Sequence, residues 1–169
     1  MTTAPFSLAQ TFMGVPHRTE IGDAKAVVLG LPFDCGTHPQ RVGSRLGPSS
    51  IRAQSLLLRA FDFVNGINPL EALGVVDVGD AKVSPGDLEA SYVAIEAAVG
   101  AIAETRAVAV TLGGDGAIAL PEMRALHRVY PDLVTIHIDA HTDAYPIEGY
   151  NTATAFGRAA EEGLVDPTR

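Results

Sequence analysis

Short runs of aliphatic and β-branched residues alternate with helix-length stretches along this chain, and that alternation restricts its fold more than any other feature. Lys25–Leu31, Ala72–Val78, Ala107–Leu112 and Asp132–Ile138 read as strands. Gly47-Pro48-Ser49 opens a helix that is expected to reach about Val64, with Ile51, Leu57, Leu58 and Phe61 among its buried positions and Asn65-Gly66 ending it. Ser84-Pro85-Gly86-Asp87 opens a second, running to about Thr105, with Leu88, Tyr92, Ile95 and Val99 on its apolar stripe. A third is expected from about Ala117 to Val129 and a last from about Thr154 to Glu162. Residues 1–22 read as an arm, and residues 23–169 as one core of βαβ units. Strands that alternate with helices this way are parallel, joined by right-handed crossovers, and covered on both faces. The fold class is therefore α/β.

Composition supports a folded chain of one domain. Of 169 residues, 47% are hydrophobic and 19% charged, which excludes a disordered polyelectrolyte. The formal net charge of -8 argues against nucleic acid and anionic membrane as partners, because the overall field repels both. No apolar run approaches the roughly 18 residues of a spanning helix, and the N-terminus lacks a basic, then apolar, export signal. Cys35 is the only cysteine, so no internal disulfide forms. A cytoplasmic location is the expectation from these features.

In an open parallel sheet, ligands sit beyond the carboxyl ends of the strands. The fourth predicted strand ends in Asp139-Ala140-His141-Thr142-Asp143. Side chains alternate along an extended chain, so Asp139, His141 and Asp143 are expected to face one way. Two carboxylates brought together repel each other, and a divalent cation relieves that repulsion while using all three groups as ligands. A hydrogen-bonded, helix-capping loop is the alternative reading of the same residues. The third strand ends in Gly113-Gly114-Asp115-Gly116, which reads as a strand-to-helix turn; it is not a dinucleotide fingerprint and has no phosphate-loop lysine. After the first strand, Arg45 and Arg52 suit loop anchoring better than anion binding. Cys35 reads as a packing residue, since no histidine is placed to activate it.

Taken in order, PFDCGT with RVGSRLGPSSIR, VVDVGD, LGGDGAIALP, IHIDAHTDAY and YNTATAFGRAAEEGLVD resemble the ureohydrolase family of arginases and agmatinases, and most nearly the agmatinase type. The resemblance covers nearly the whole chain but only the first half of such an enzyme. It implies a three-layer α/β/α sandwich, arginase-like and truncated. It also implies hydrolysis of a guanidino compound to release urea at a two-metal centre, by resemblance Mn²⁺, with Ni²⁺ or an empty site as alternatives. On this likeness Asp139 would bridge the two metals, and His141 and Asp143 would bind one each. Asn151 would lie at the substrate.

Three departures temper the likeness. The family has a metal-binding histidine where this chain has Gly116, and a histidine for proton transfer or substrate contact where it has Thr152. The family's second half, which carries further metal ligands and strands lying between the third and fourth predicted here, has no counterpart in these residues. The expectation is a chain inactive alone that serves as a subunit, a regulator or a pseudoenzyme. The alternative is activity once a ureohydrolase-like partner chain or a homo-oligomer completes the site.

Overall fold

Three parallel strands form the sheet in the computed structural model, which describes residues 10–34 and 42–168. Strand β1 (Ala26–Leu31) lies between β2 (Val76–Asp80) and β3 (Val108–Gly113). The β1–β3 register runs unbroken from Ala26 opposite Val108 to Leu31 opposite Gly113, whereas the β1–β2 register shifts between Val28 and Gly30. Every residue of β1 is buried, as a strand covered on both faces requires.

The pleat sends Val27, Leu29 and Leu31 to one face. There they pack with Ile95 and Val99 of α3 (Leu88–Glu104), Leu120 of α4 (Ala119–Val129), and Ala155 and Ala159 of α5 (Ala155–Glu161). Ala26 and Val28 turn to the other face, with Val15, Val75 and Leu112. Fully burying a side chain such as Leu31 or Ile95 contributes about 1.5–3 kcal/mol, set against the entropy of ordering it. Helix α3 starts where Asp87 accepts a hydrogen bond from the Ala90 N–H at 2.9 Å, and buries the predicted Tyr92, Ile95 and Val99. The result is an open parallel sheet with helices packed against it, an α/β fold. No helix among the described residues is long and apolar enough to cross a membrane.

The helix expected to run to Val64 is shorter. Helix α1 (Gly47–Ser55) buries Pro48, Arg52 and Ser55. Its inward face is thus polar, and the apolar residues expected to be buried are exposed instead: Ile51, Leu57, Leu58 and Phe61 all face solvent. Arg52 explains the inversion. Its guanidinium grips Asp77 of β2 with Nε and Nη2 at 2.8 and 2.9 Å, reaches Asp80 Oδ1 through Nη1 at 2.5 Å, and donates to the Gly79 carbonyl at 2.9 Å. Beyond Ser55, Asp62 accepts from the N–H groups of Val64 and Asn65, which makes a turn of residues predicted to be helical. A short helix, α2 (Pro69–Ala72), replaces the start of the predicted second strand; Asn68 caps it.

The fourth predicted strand, Asp132–Ile138, is not a strand in the structure. Ile136 is 85% exposed and Ile138 92% exposed. A strand needs a neighbour to take its backbone hydrogen bonds. None of the described residues pairs with this segment, and none pairs with the far edge of β3, where Val108 is 63% exposed. Cys35, with His38 and Arg41 of the same loop, lies outside the described residues.

Candidate metal centre

The carboxyl ends of the strands converge on two loops. At the end of β3, Gly114 sits against backbone: a Cβ there would lie 2.5 Å from the Leu31 oxygen and 2.6 Å from the Phe33 oxygen. Only glycine permits that approach. Asp115 follows and caps the next turn, accepting from the Ala117 N–H at 2.9 Å. Its Oδ1 also accepts a hydrogen bond from the Thr152 hydroxyl. Gly116 next to it offers no donor atom.

The second loop carries the acidic motif. Ligand-capable atoms of His137, Asp139 and Asp143 all lie within 4.8 Å of one another. His141 stands to one side, with Nδ1 3.4 Å from Asp139 Oδ1 and its N–H donating to the same oxygen at 2.8 Å. The ordering of these groups differs from an extended strand because Asp143 adopts a left-handed backbone conformation, with φ of 49°. Its carbonyl accepts from the Phe156 and Gly157 N–H groups at 2.9 and 3.3 Å, which anchors the motif to α5. His137 stacks on Phe156 with ring centroids 3.9 Å apart, and its Nε2 lies 3.8 Å from Asp143 Oδ2. The alternation rule applied to Asp139 also selects His137, which lies two residues earlier and outside the acidic motif.

The electrostatics are those of crowded carboxylates. Desolvation raises the Asp143 pKa, and the charges of Asp139 and Asp115 add to the rise. Asp139 goes the other way, held down chiefly by the hydrogen bond from the His141 N–H. One imidazole and two carboxylates make a donor set suited to a single divalent cation. On the β3 side, Gly116 has no side-chain donor, and Asp115 accepts from the Thr152 hydroxyl and the Ala117 N–H. The remaining predicted residues have structural partners. Asn151 accepts from the Ala153 N–H at 2.9 Å, capping the turn at Thr152–Thr154. Arg45 lies 3.7 Å from Asp34, which also accepts from the Gly43 N–H.

Comparison with known proteins decides the family. The sequence profile described as the arginase family matches residues 24–169. The chain belongs to the arginase family. It is 38% identical to a guanidinopropionase of Pseudomonas aeruginosa over 97% of this chain and 52% of that protein. It is 34% identical to a mitochondrial agmatinase of Gallus gallus, over 94% of this chain and 47% of the relative. The solved proclavaminate amidinohydrolase of Streptomyces clavuligerus superposes with a TM-score of 0.87 at 28% identity, covering 98% of this chain and 56% of that one. This arginase-family chain therefore spans about half the length of the relatives it matches. The family typically depends on a binuclear metal centre.

Proposed function

We propose that this chain is the metal-holding half of an agmatinase-type ureohydrolase site, which does not turn over a guanidino compound by itself and works as a subunit. The observation that carries this reading is one-sidedness: the donors come from residues 137–143, and the β3 side presents Gly116 and the Asp115–Thr152 hydrogen bond. In this reading Asp139 and Asp143 hold a divalent cation, Mn²⁺ by family resemblance, together with an imidazole. His137 is the one in place here, and His141 is near enough to exchange with it. Phe156 fixes the His137 ring and α5 fixes Asp143. Such a cation would lower the pKa of water and so supply a nucleophile for the guanidinium carbon. Asn151 is assigned to substrate contact. Thr152 stands where the family resemblance expects a histidine for proton transfer or substrate contact, and a threonine hydroxyl does not serve as a general acid or base near neutral pH.

The open edge of β3 favours a second reading, activity on completion. Val108 and Val110 on that edge and Ile136 and Ile138 on the unpaired segment are exposed together. A second, half-length body adding strands there, in the same protein or in a partner, would cover all four and bring donors to the other side. Homologues in the family are generally oligomers. The single cysteine and acidic charge fit a cytoplasmic protein.

The test is Mn²⁺ binding with urea release. The chain alone is expected to bind Mn²⁺ weakly, with Asp139→Asn lowering affinity at least tenfold by removing one charged ligand of three, measured by calorimetric titration. Urea release from agmatine, guanidinobutyrate, arginine and guanidine is expected to be absent. Binding that survives Asp139→Asn unchanged would place the cation elsewhere.

A further inference from the structure

Gly116 is a glycine without a backbone reason to be one. Its φ is not in the left-handed region, and it opens a short turn that any residue can enter. Its reason is space. A Cβ at position 116 would lie 2.9 Å from Thr152 Cγ2, 3.8 Å from Cβ and 3.9 Å from Oγ1. Only the methyl group is too close. That methyl cannot swing away freely, because a β-branched side chain is stiff at χ1 and the Thr152 hydroxyl is committed to Asp115 Oδ1. Rotating Thr152 to admit a neighbour would break that bond and take one hydrogen bond from buried Asp115.

The bond joins two loops distant in sequence. Asp115 belongs to the turn after β3, and Thr152 to the turn before α5 that also holds Asp143. We propose that Gly116 and Thr152 are a coupled pair: glycine at 116 makes room for the Thr152 methyl, the Thr152 hydroxyl ties Asp115 to the 151–154 turn, and this hydrogen bond, not a cation, closes the β3 side of the site. The clause about the cation rests on the metal reading above; the steric coupling does not.

The test is a set of thermal unfolding curves on the full chain, in chelator and again in excess Mn²⁺, for wild type, Gly116→Ala, Thr152→Ser, Thr152→Ala and the two double variants. In chelator, Gly116→Ala with Thr152 present should lower Tm by about 3 °C or more, the size expected for about 1 kcal/mol in a chain of this length. Serine keeps the hydroxyl and lacks the methyl, so Gly116→Ala/Thr152→Ser should recover the Tm of Thr152→Ser or exceed it. Adding Gly116→Ala to Thr152→Ala should likewise raise Tm, because alanine restricts the unfolded chain more than glycine does. The same pattern should persist in Mn²⁺. If Gly116→Ala costs the same whatever stands at 152, the coupling does not exist. If Mn²⁺ erases the pattern, a cation and not the hydrogen bond closes that side. A Tm that Mn²⁺ does not move in any variant, with the pattern intact, would overturn the metal reading and leave the pair standing.

Discussion

Replacing Arg52 with alanine is expected to destabilise the chain by about 3–5 kcal/mol, the cost of stripping the partner from a buried charge. Asp77 is 1% exposed and Arg52 8% exposed at their side chains. Burial alone pushes the Asp77 carboxyl up; the hydrogen bonds from Arg52, and from the Phe12 and Gly79 N–H groups at 2.9 Å each, overcome it and hold the group below the usual carboxylate range. Without Arg52 those two N–H groups remain, and the negative charge stays in the core. Arg52→Lys should recover only part of the loss, because an ammonium cannot span both Asp77 oxygens and Asp80 as the fork does. Arg52 links α1 to β2 through Asp77 and Asp80. Urea denaturation at pH 7 measures the effect; a loss under 1 kcal/mol for Arg52→Ala would mean the network is not the tie between these elements.

The second large effect is a pH dependence centred on Glu122. This residue lies in the first turn of α4, and its Oε1 is buried without a hydrogen-bond partner. Desolvation raises its pKa from 4.5 to about 7, opposed only in part by a hydrogen bond with Thr111 of β3. The sign follows from which state holds the proton. Between pH 4.5 and 7 the folded chain keeps a proton that the unfolded chain releases, so stability falls as pH rises through that window and levels off above it. A shift of this size amounts to about 3 kcal/mol between the two plateaus. Glu122→Gln should remove that part of the slope and leave the chain more stable than wild type at pH 8. Urea midpoints taken from pH 4.5 to 8 decide it: an unchanged slope in Glu122→Gln would assign the dependence to other groups.

Much of the fold was legible because its signals are local. The runs KAVVLGL and AVAVTL became β1 and β3 nearly residue for residue, and Asp87 and the Leu88–Val99 stripe delimited α3. Two elements were misread for reasons that are not local. Apolarity alone selects Ile51, Leu57, Leu58 and Phe61 for the buried face of the first helix, whereas the carboxylates of a distant strand draw Arg52 inward. Residues 132–138 carry a strand's side-chain pattern, but a strand also needs a neighbour's backbone, and nothing among the described residues supplies one. The site shows the same division. Family resemblance points to Asp139, His141 and Asp143, and the structure groups Asp139 and Asp143 with His137, which the alternation from Asp139 also selects, while His141 stands to one side. The contact between Gly116 and Thr152, 36 positions apart, had no sequence signal beyond the two departures themselves.

The central claim is that these residues make half of a ureohydrolase site. Its most direct test is the metal count of the purified chain after equilibration with Mn²⁺ and desalting, with the oligomeric state recorded on the same sample. The account predicts no more than one Mn²⁺ per chain, loosely held and lost with Asp139→Asn. Two tightly held Mn²⁺ per chain in a monomer would contradict it.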